Sequence, residues 1–74
     1  MVTVRYKEQR IYAQCYPARD MPGHFIPIAM VRGPLVSADD PVTILSGFRC
    51  RTLDEAEIVA TKEAKKWIDE HQLG

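Results

Sequence analysis

The last third of the chain carries a complete set of helix signals. Thr52 and Glu55 have the spacing of a capping box, in which the threonine hydroxyl accepts a hydrogen bond from the amide three residues later. Acidic residues follow at once and lysines come later, which is the order that the helix dipole favours. A stripe with the helical period consists of Leu53, Ala56, Ala60, Ala64, Trp67, Ile68 and His71. The sequence therefore predicts a helix over residues 53–71, with Trp67 as its largest contact.

Four segments that precede this helix have the pattern of β-strands. Residues 2–7 and 11–16 alternate between two faces, and residues 8–10 between them predict a turn or a bulge. Residues 20–23 contain Pro-Gly and predict a second turn, and residues 25–31 and 42–50 predict two further strands. We expect an α+β fold in one domain over residues 1–74. Its three- to four-stranded antiparallel sheet is covered on one face by a single C-terminal α-helix.

Size and charge restrict the function classes. The chain has 74 residues and a formal net charge of zero, and so small a core leaves a narrow stability margin that dimerisation often widens. Residues 1–52 carry seven basic and four acidic side chains, whereas residues 53–74 carry three and six. The sheet is therefore mildly basic and the helix mildly acidic. No signal peptide or membrane span is visible, so we expect a cytoplasmic protein without a membrane partner.

Motifs for catalysis or metal binding do not emerge from the sequence. Cys15, His24, Cys50 and His71 do not have the spacing of a zinc site, and no CxxC motif is present. The residues around Asp39 and Asp40 lack the spacing of a calcium loop, which leaves a solvated turn as the interpretation. We predict two reduced cysteines, no metal, no cofactor, no catalytic residue and no enzymatic activity.

The sheet face away from the helix is the most informative feature. Alternation assigns to it Thr3, Arg5, Lys7, Tyr12, Gln14, Tyr16, Ile26, Ile28, Met30, Arg32, Leu45, Arg49 and Arg51, while Val4, Ile11, Ala13 and Phe48 face the helix. This mixture of arginine, tyrosine, methionine and branched aliphatic residues is too apolar for a plain solvated surface.

Two functions fit such a face. The first is a protein-interaction module, most simply a homodimer, because Tyr, Met and Arg are enriched at interfaces. The alternative is nucleic-acid binding through arginine and tyrosine. The candidate binding residues for either are Arg5, Tyr12, Tyr16, Ile28, Met30, Arg32, Arg49 and Arg51. The remaining alternatives are an enzyme, a small-ligand binder and a monomer whose loop 33–41 folds over the face.

A resemblance adds to this interpretation. Phe48, Thr52, Glu55, Ala56, Ala60, Ala64, Trp67, Ile68 and Asp69, with Tyr6 and Ile11 before them, form a pattern that resembles a group of small bacterial proteins of unassigned function. The resemblance implies three or four strands followed by one helix. This outline is also similar to the plant ethylene-response DNA-binding domain and to the arm-binding domains of phage and transposon integrases, which lay a basic sheet in the major groove. This chain differs in lacking net positive charge, so no functional residue is carried over.

Overall fold

The computed structural model describes residues 2–34 and 41–71. The elements in chain order are β1 (Val2–Tyr6), β2 (Gln9–Ala13), β3 (Tyr16–Pro17), β4 (Phe25–Ile26), β5 (Ile28–Arg32), β6 (Val42–Leu45) and α1 (Leu53–His71). Four strands form an antiparallel sheet in the order β1-β2-β5-β6, and β3 pairs with β4 in a small second sheet. The helix packs on one face, so the predicted α+β fold is confirmed.

The small sheet continues the large one. Ala13 lies opposite Ala29 and Tyr16 lies opposite Ile26, so the register does not change between the two sheets. The amide of Gln14 donates to the carbonyl of Ile28 at 2.7 Å in the gap between them. Residues 9–17 and 25–32 thus form one long hairpin, interrupted at Pro27 because proline has no N–H to donate to the ladder.

The first turn differs from the prediction. Lys7 and Glu8 have φ values of 47° and 69°, which is the left-handed conformation that both central residues of a type I′ hairpin turn adopt. β2 therefore begins at Gln9, two residues earlier than the alternation indicated. The prediction of a turn or bulge over residues 8–10 missed this because neither turn residue is glycine or asparagine.

The core lies between the inner face of the sheet and α1. It consists of Ile11, Ala13, Ala29, Val31, Ala60, Ala64 and Ile68. The three buried alanines Ala56, Ala60 and Ala64 bring the helix axis close to the strands. Trp67 packs at the edge of this cluster, and its ring stacks on that of His71 with centroids 4.1 Å apart.

The helix runs over the predicted residues and is capped as expected. Its bounds, Leu53–His71, match the prediction, and the amide of Glu55 donates to Oγ1 of Thr52 at 3.1 Å. Two residues assigned to the core are corrected. Phe48 is 64% exposed, because β6 ends at Leu45 and the alternation does not extend to it. Leu53 is 43% exposed at the first residue of the helix.

A polar clamp joins the first turn to the end of the helix. The ammonium of Lys7 donates to Asp69 at 2.6 Å, and the hydroxyl of Tyr6 donates to both oxygens of the same carboxylate at 3.0 and 3.1 Å. The Lys7 hydrogen bond, and then that of Tyr6, lowers the pKa of Asp69, while the bond to Asp69 raises the pKa of Lys7. Lys7 therefore reaches α1, which corrects its predicted place on the opposite face.

Candidate functional site

The outer face of the sheet, meaning the face opposite α1, is the candidate site. Side chains alternate along a strand between the two faces. Because Ile11 and Val31 are buried beneath the helix, their neighbours Tyr12, Met30 and Arg32 lie on the outer face. None of these three is buried within the described part of the chain, so they are accessible to a partner.

The register aligns three arginines directly across three strands. Arg5 lies opposite Arg10, and Arg10 lies opposite Arg32. Directly opposed residues of antiparallel strands have Cα atoms about 4.5–5.5 Å apart, so the three Cα atoms span roughly 10 Å. All three residues are exposed. We call Arg5, Arg10 and Arg32 the arginine row.

Apolar side chains share the next two rows of the outer face with the polar residues Thr3, Thr43 and Gln14. Tyr12 lies opposite Met30 one row from the arginines, and Ile28 lies opposite Leu45 one row further on. Leu45 is 71% exposed, whereas the other three are half-buried. We call Tyr12, Ile28, Met30 and Leu45 the apolar band. The outer face thus changes from basic to apolar along the strands.

The arginine row forms no ion pair with the described residues. Glu8 borders the same shallow depression of about 280 Å³ as the row, but it forms no ion pair with it. The ion pairs within residues 2–34 and 41–71 lie elsewhere, between Lys7 and Asp69 and between Arg49 and Asp20. An anionic ligand at the row would therefore not have to displace one of these carboxylates.

The end of β5 beside the row is fixed by a close backbone approach. Gly33 has a φ of 150° and lies directly against the side chain of Gln9, which is only 2% exposed. A Cβ at position 33 would collide with that side chain, so glycine is required there for both reasons. This contact holds the ends of β2 and β5 together, next to Arg10 and Arg32.

The structure assembles five of the eight predicted binding residues, which are Arg5, Tyr12, Ile28, Met30 and Arg32. Tyr16 instead lines a depression with Leu53 and Glu57 at the start of α1.

The two remaining arginines lie beyond the last residue of β6 and are separate from the row. Arg49 donates from Nε to Asp20 at 3.3 Å and from Nη1 to the carbonyl of Phe48 at 3.1 Å. Arg51 lies between β6 and α1.

Arg10 is the site residue that sequence reasoning missed. It fell within residues 8–10, which were predicted to form a turn or a bulge. The signal that could have located it is the pairing itself: a two-residue turn at Lys7 and Glu8 places Arg10 opposite Arg5.

The two cysteines are not paired with each other, and Cys15 is half-buried whereas Cys50 is buried. Burial, followed by the nearby charge of Glu55, raises the pKa of the Cys50 thiol, which keeps it protonated and weakly nucleophilic. Among residues 2–34 and 41–71, no group of three His, Cys, Asp or Glu side chains is placed to hold a metal ion.

Comparison with known proteins gives no relationship: no family model, no curated protein and no solved structure matches this chain significantly. The resemblance to small bacterial proteins and to sheet-type DNA-binding domains therefore stays a prediction. In the part of the chain that the structure describes, no helix has the length and apolar character needed to cross a membrane. The predicted cover of the face by loop 33–41, and the Asp39–Asp40 turn, fall largely outside the described residues.

Proposed function

We propose that this chain is a non-enzymatic nucleic-acid-binding domain and that its outer sheet face is the binding surface. The observation that carries the proposal is the arginine row, three guanidinium groups on adjacent strands without a carboxylate partner among the described residues. A guanidinium donates two parallel hydrogen bonds to a phosphate, and a row of them matches a ligand whose negative charges repeat.

The energetics of the row support a functional role. Like charges directly opposite one another on neighbouring strands destabilise a sheet. Arg5, Arg10 and Arg32 therefore lower the stability of the fold they belong to. An anionic ligand reverses this effect, since it neutralises the charges that repel.

The apolar band supplies the second component of a nucleic-acid site. Tyr12 lies in the row next to the arginines, with Met30 opposite it. Bases stack on aromatic rings while arginines hold the phosphates, and this combination works without sequence-specific hydrogen bonds. The outer face therefore offers both contacts side by side.

Fluorescence anisotropy with labelled DNA, in single- and double-stranded form, tests this function. We expect the affinity of the wild type to fall roughly twentyfold between about 50 and 200 mM salt, the slope for about three neutralised phosphates on a single strand. Arg10→Gln should weaken binding roughly tenfold, because it removes one charge-assisted contact.

Lys62→Gln is the matched control, because it also removes one positive charge but from the exposed helix surface. It should leave the affinity almost unchanged. Equal losses in the two variants would contradict a site on the outer face. Absence of binding to both DNA forms at about 50 mM salt would contradict the proposed function itself.

Self-association is the second candidate, and the exposure of Leu45 beside Ile28 favours it. Burying a few aliphatic side chains from each of two subunits offsets much of the cost of association. The arginine row opposes it, because a two-fold contact across this face brings two rows together unless they lie at opposite ends. Sedimentation equilibrium distinguishes the two functions: a dimer that Ile28→Asp abolishes and that DNA leaves intact would favour self-association over nucleic-acid binding.

A further inference from the structure

We infer that the outer face binds single-stranded nucleic acid in preference to a duplex, an inference that rests on the proposed nucleic-acid function. It goes beyond that function because the charge of the arginine row alone would allow binding of either a single strand or a duplex. Three observations carry it: the width of the sheet, the position of Tyr12 relative to the arginine row, and the partly exposed apolar band.

The full width of the sheet exceeds that of a duplex groove. Four strands in the order β1-β2-β5-β6 have three intervals between them, and at about 4.8 Å each they span roughly 14 Å before side chains are added. The major groove of B-DNA is about 12 Å wide and admits a helix or a two-stranded ribbon. The four strands of the outer face therefore cannot all reach base edges in one groove at once.

Tyr12 is placed where a base of a bound strand would lie. It is two residues along β2 from Arg10, on the same face, so the two rows are about 7 Å apart. A nucleotide whose phosphate contacts the arginine row can extend its base over the neighbouring row. There the Tyr12 ring supplies a stacking surface, and Met30 lies directly opposite it.

The apolar band has a role only if the bases are accessible. In a duplex the bases are stacked inside, and the surface that faces a protein outside the grooves consists of sugar and phosphate. Ile28, Met30 and Leu45 would then face charged phosphates and would have no apolar surface to contact. A single strand presents the flat apolar faces of its bases, which match the band.

The test compares an oligonucleotide of about 12 thymidines with a duplex of the same length, using anisotropy at about 100 mM salt. We expect the single strand to bind at least about tenfold more tightly. Tyr12→Leu should weaken single-strand binding roughly 5- to 100-fold and leave the duplex affinity unchanged, whereas Tyr12→Phe should retain most of the affinity because the ring is kept. Circular dichroism and thermal melting establish that each variant is folded.

The outcomes separate this inference from the function on which it rests. Equal or tighter duplex binding that still depends on Arg10 would overturn the single-strand preference and leave nucleic-acid binding intact. Equal losses for Tyr12→Phe and Tyr12→Leu would overturn the stacking contact. Failure of both forms to bind would remove both proposals. Displacement by polyglutamate at the same charge concentration would identify an acidic protein as the better ligand and contradict both. The same anisotropy measurement with an oligouridine distinguishes RNA from DNA. Binding of either single strand supports the inference.

Discussion

The two faces of the sheet are built from the same strands but differ in burial and in composition. On the inner face, Ile11, Ala13, Ala29 and Val31 are almost completely buried beneath the helix. On the outer face, alternate residues of the same strands are arginines, a tyrosine and large aliphatic side chains, and the described part of the chain leaves all of them at least partly exposed. The inner face is explained by packing. The outer face has features that packing within one chain does not require, and the proposed binding surface rests on them.

A matched pair of substitutions gives the largest expected contrast between the faces. Ile11→Asp places an unpaired charge at a position that is 0% exposed, and we expect it to cost more than about 4 kcal/mol, enough to unfold so small a domain. Ile28→Asp, at a half-buried outer position, should cost roughly 1 kcal/mol and weaken oligonucleotide binding. Urea denaturation measures both. Similar losses of stability would show that the outer face is also core.

A second substitution tests how closely the helix approaches the inner face. Ala64 is fully buried, so Ala64→Leu adds volume where the contact is tight and should destabilise the protein by about 1–3 kcal/mol. Lys62→Leu introduces the same side chain at an exposed helical position and should change stability by less than about 0.5 kcal/mol. Equal stability of Ala64→Leu and the wild type would mean that unfilled space remains between helix and sheet.

Substitution within the arginine row is expected to raise the stability of the protein rather than lower it. Arg10→Thr removes the middle of three opposed like charges and introduces a good strand former, so we expect a gain of roughly 0.5–1 kcal/mol in the free energy of unfolding. The gain should shrink as salt screens the repulsion. Arg19→Thr, at an exposed position outside the row, should show neither effect. A loss of stability in Arg10→Thr would mean that the row is structurally stabilising, which would weaken the functional argument.

The smallest effect concerns the clamp that joins the first turn to the helix. The pKa of Asp69 is lowered by Lys7 and Tyr6, so its carboxylate stabilises the fold above its ordinary pKa of 3.8, and this stabilisation is lost as the pH falls through the folded value. Asp69→Asn should lower the melting temperature slightly at pH 7, and the difference from wild type should vanish in acid.

Glu70→Gln, at the exposed neighbouring position, is the control for the clamp. It should not reproduce this pH dependence. A melting-temperature difference for Asp69→Asn that persists unchanged in acid would show that the clamp does not act through the charge of Asp69. Because Lys7 and Asp69 are both solvent-accessible, salt should reduce the effect as well.

The elements that could be predicted are those specified by local signals. The helix was predicted with its correct bounds because a capping threonine and a 3.6-residue stripe are both local. The interruption between β4 and β5 at Pro27 also has a local cause, because proline has no N–H to donate. The bounds of β2 and β6 were wrong, since the first depends on a turn without glycine and the second on where the pairing with β5 ends.

The candidate site could be predicted only in part, for the same reason. Tyr12, Met30 and Ile28 were assigned to the outer face because alternation is a property of each strand. Arg10 was not among the predicted residues, and Tyr16, Arg49 and Arg51 lie away from the arginine row, because membership of a row depends on register and strand ends. A shift of one residue in a turn moves every following side chain to the other face.

The sequence by itself determined the helix, its buried stripe and an outer face of mixed arginine and apolar character. These properties follow from periodicity, capping and alternation, which act over a few residues. Only the tertiary structure decided that Arg5, Arg10 and Arg32 form one row and that Arg49 pairs with Asp20 at the other end of the molecule. Such placements depend on the pairing of strands that are distant in the chain, and pairing is settled by the packing of the whole sheet against its single helix.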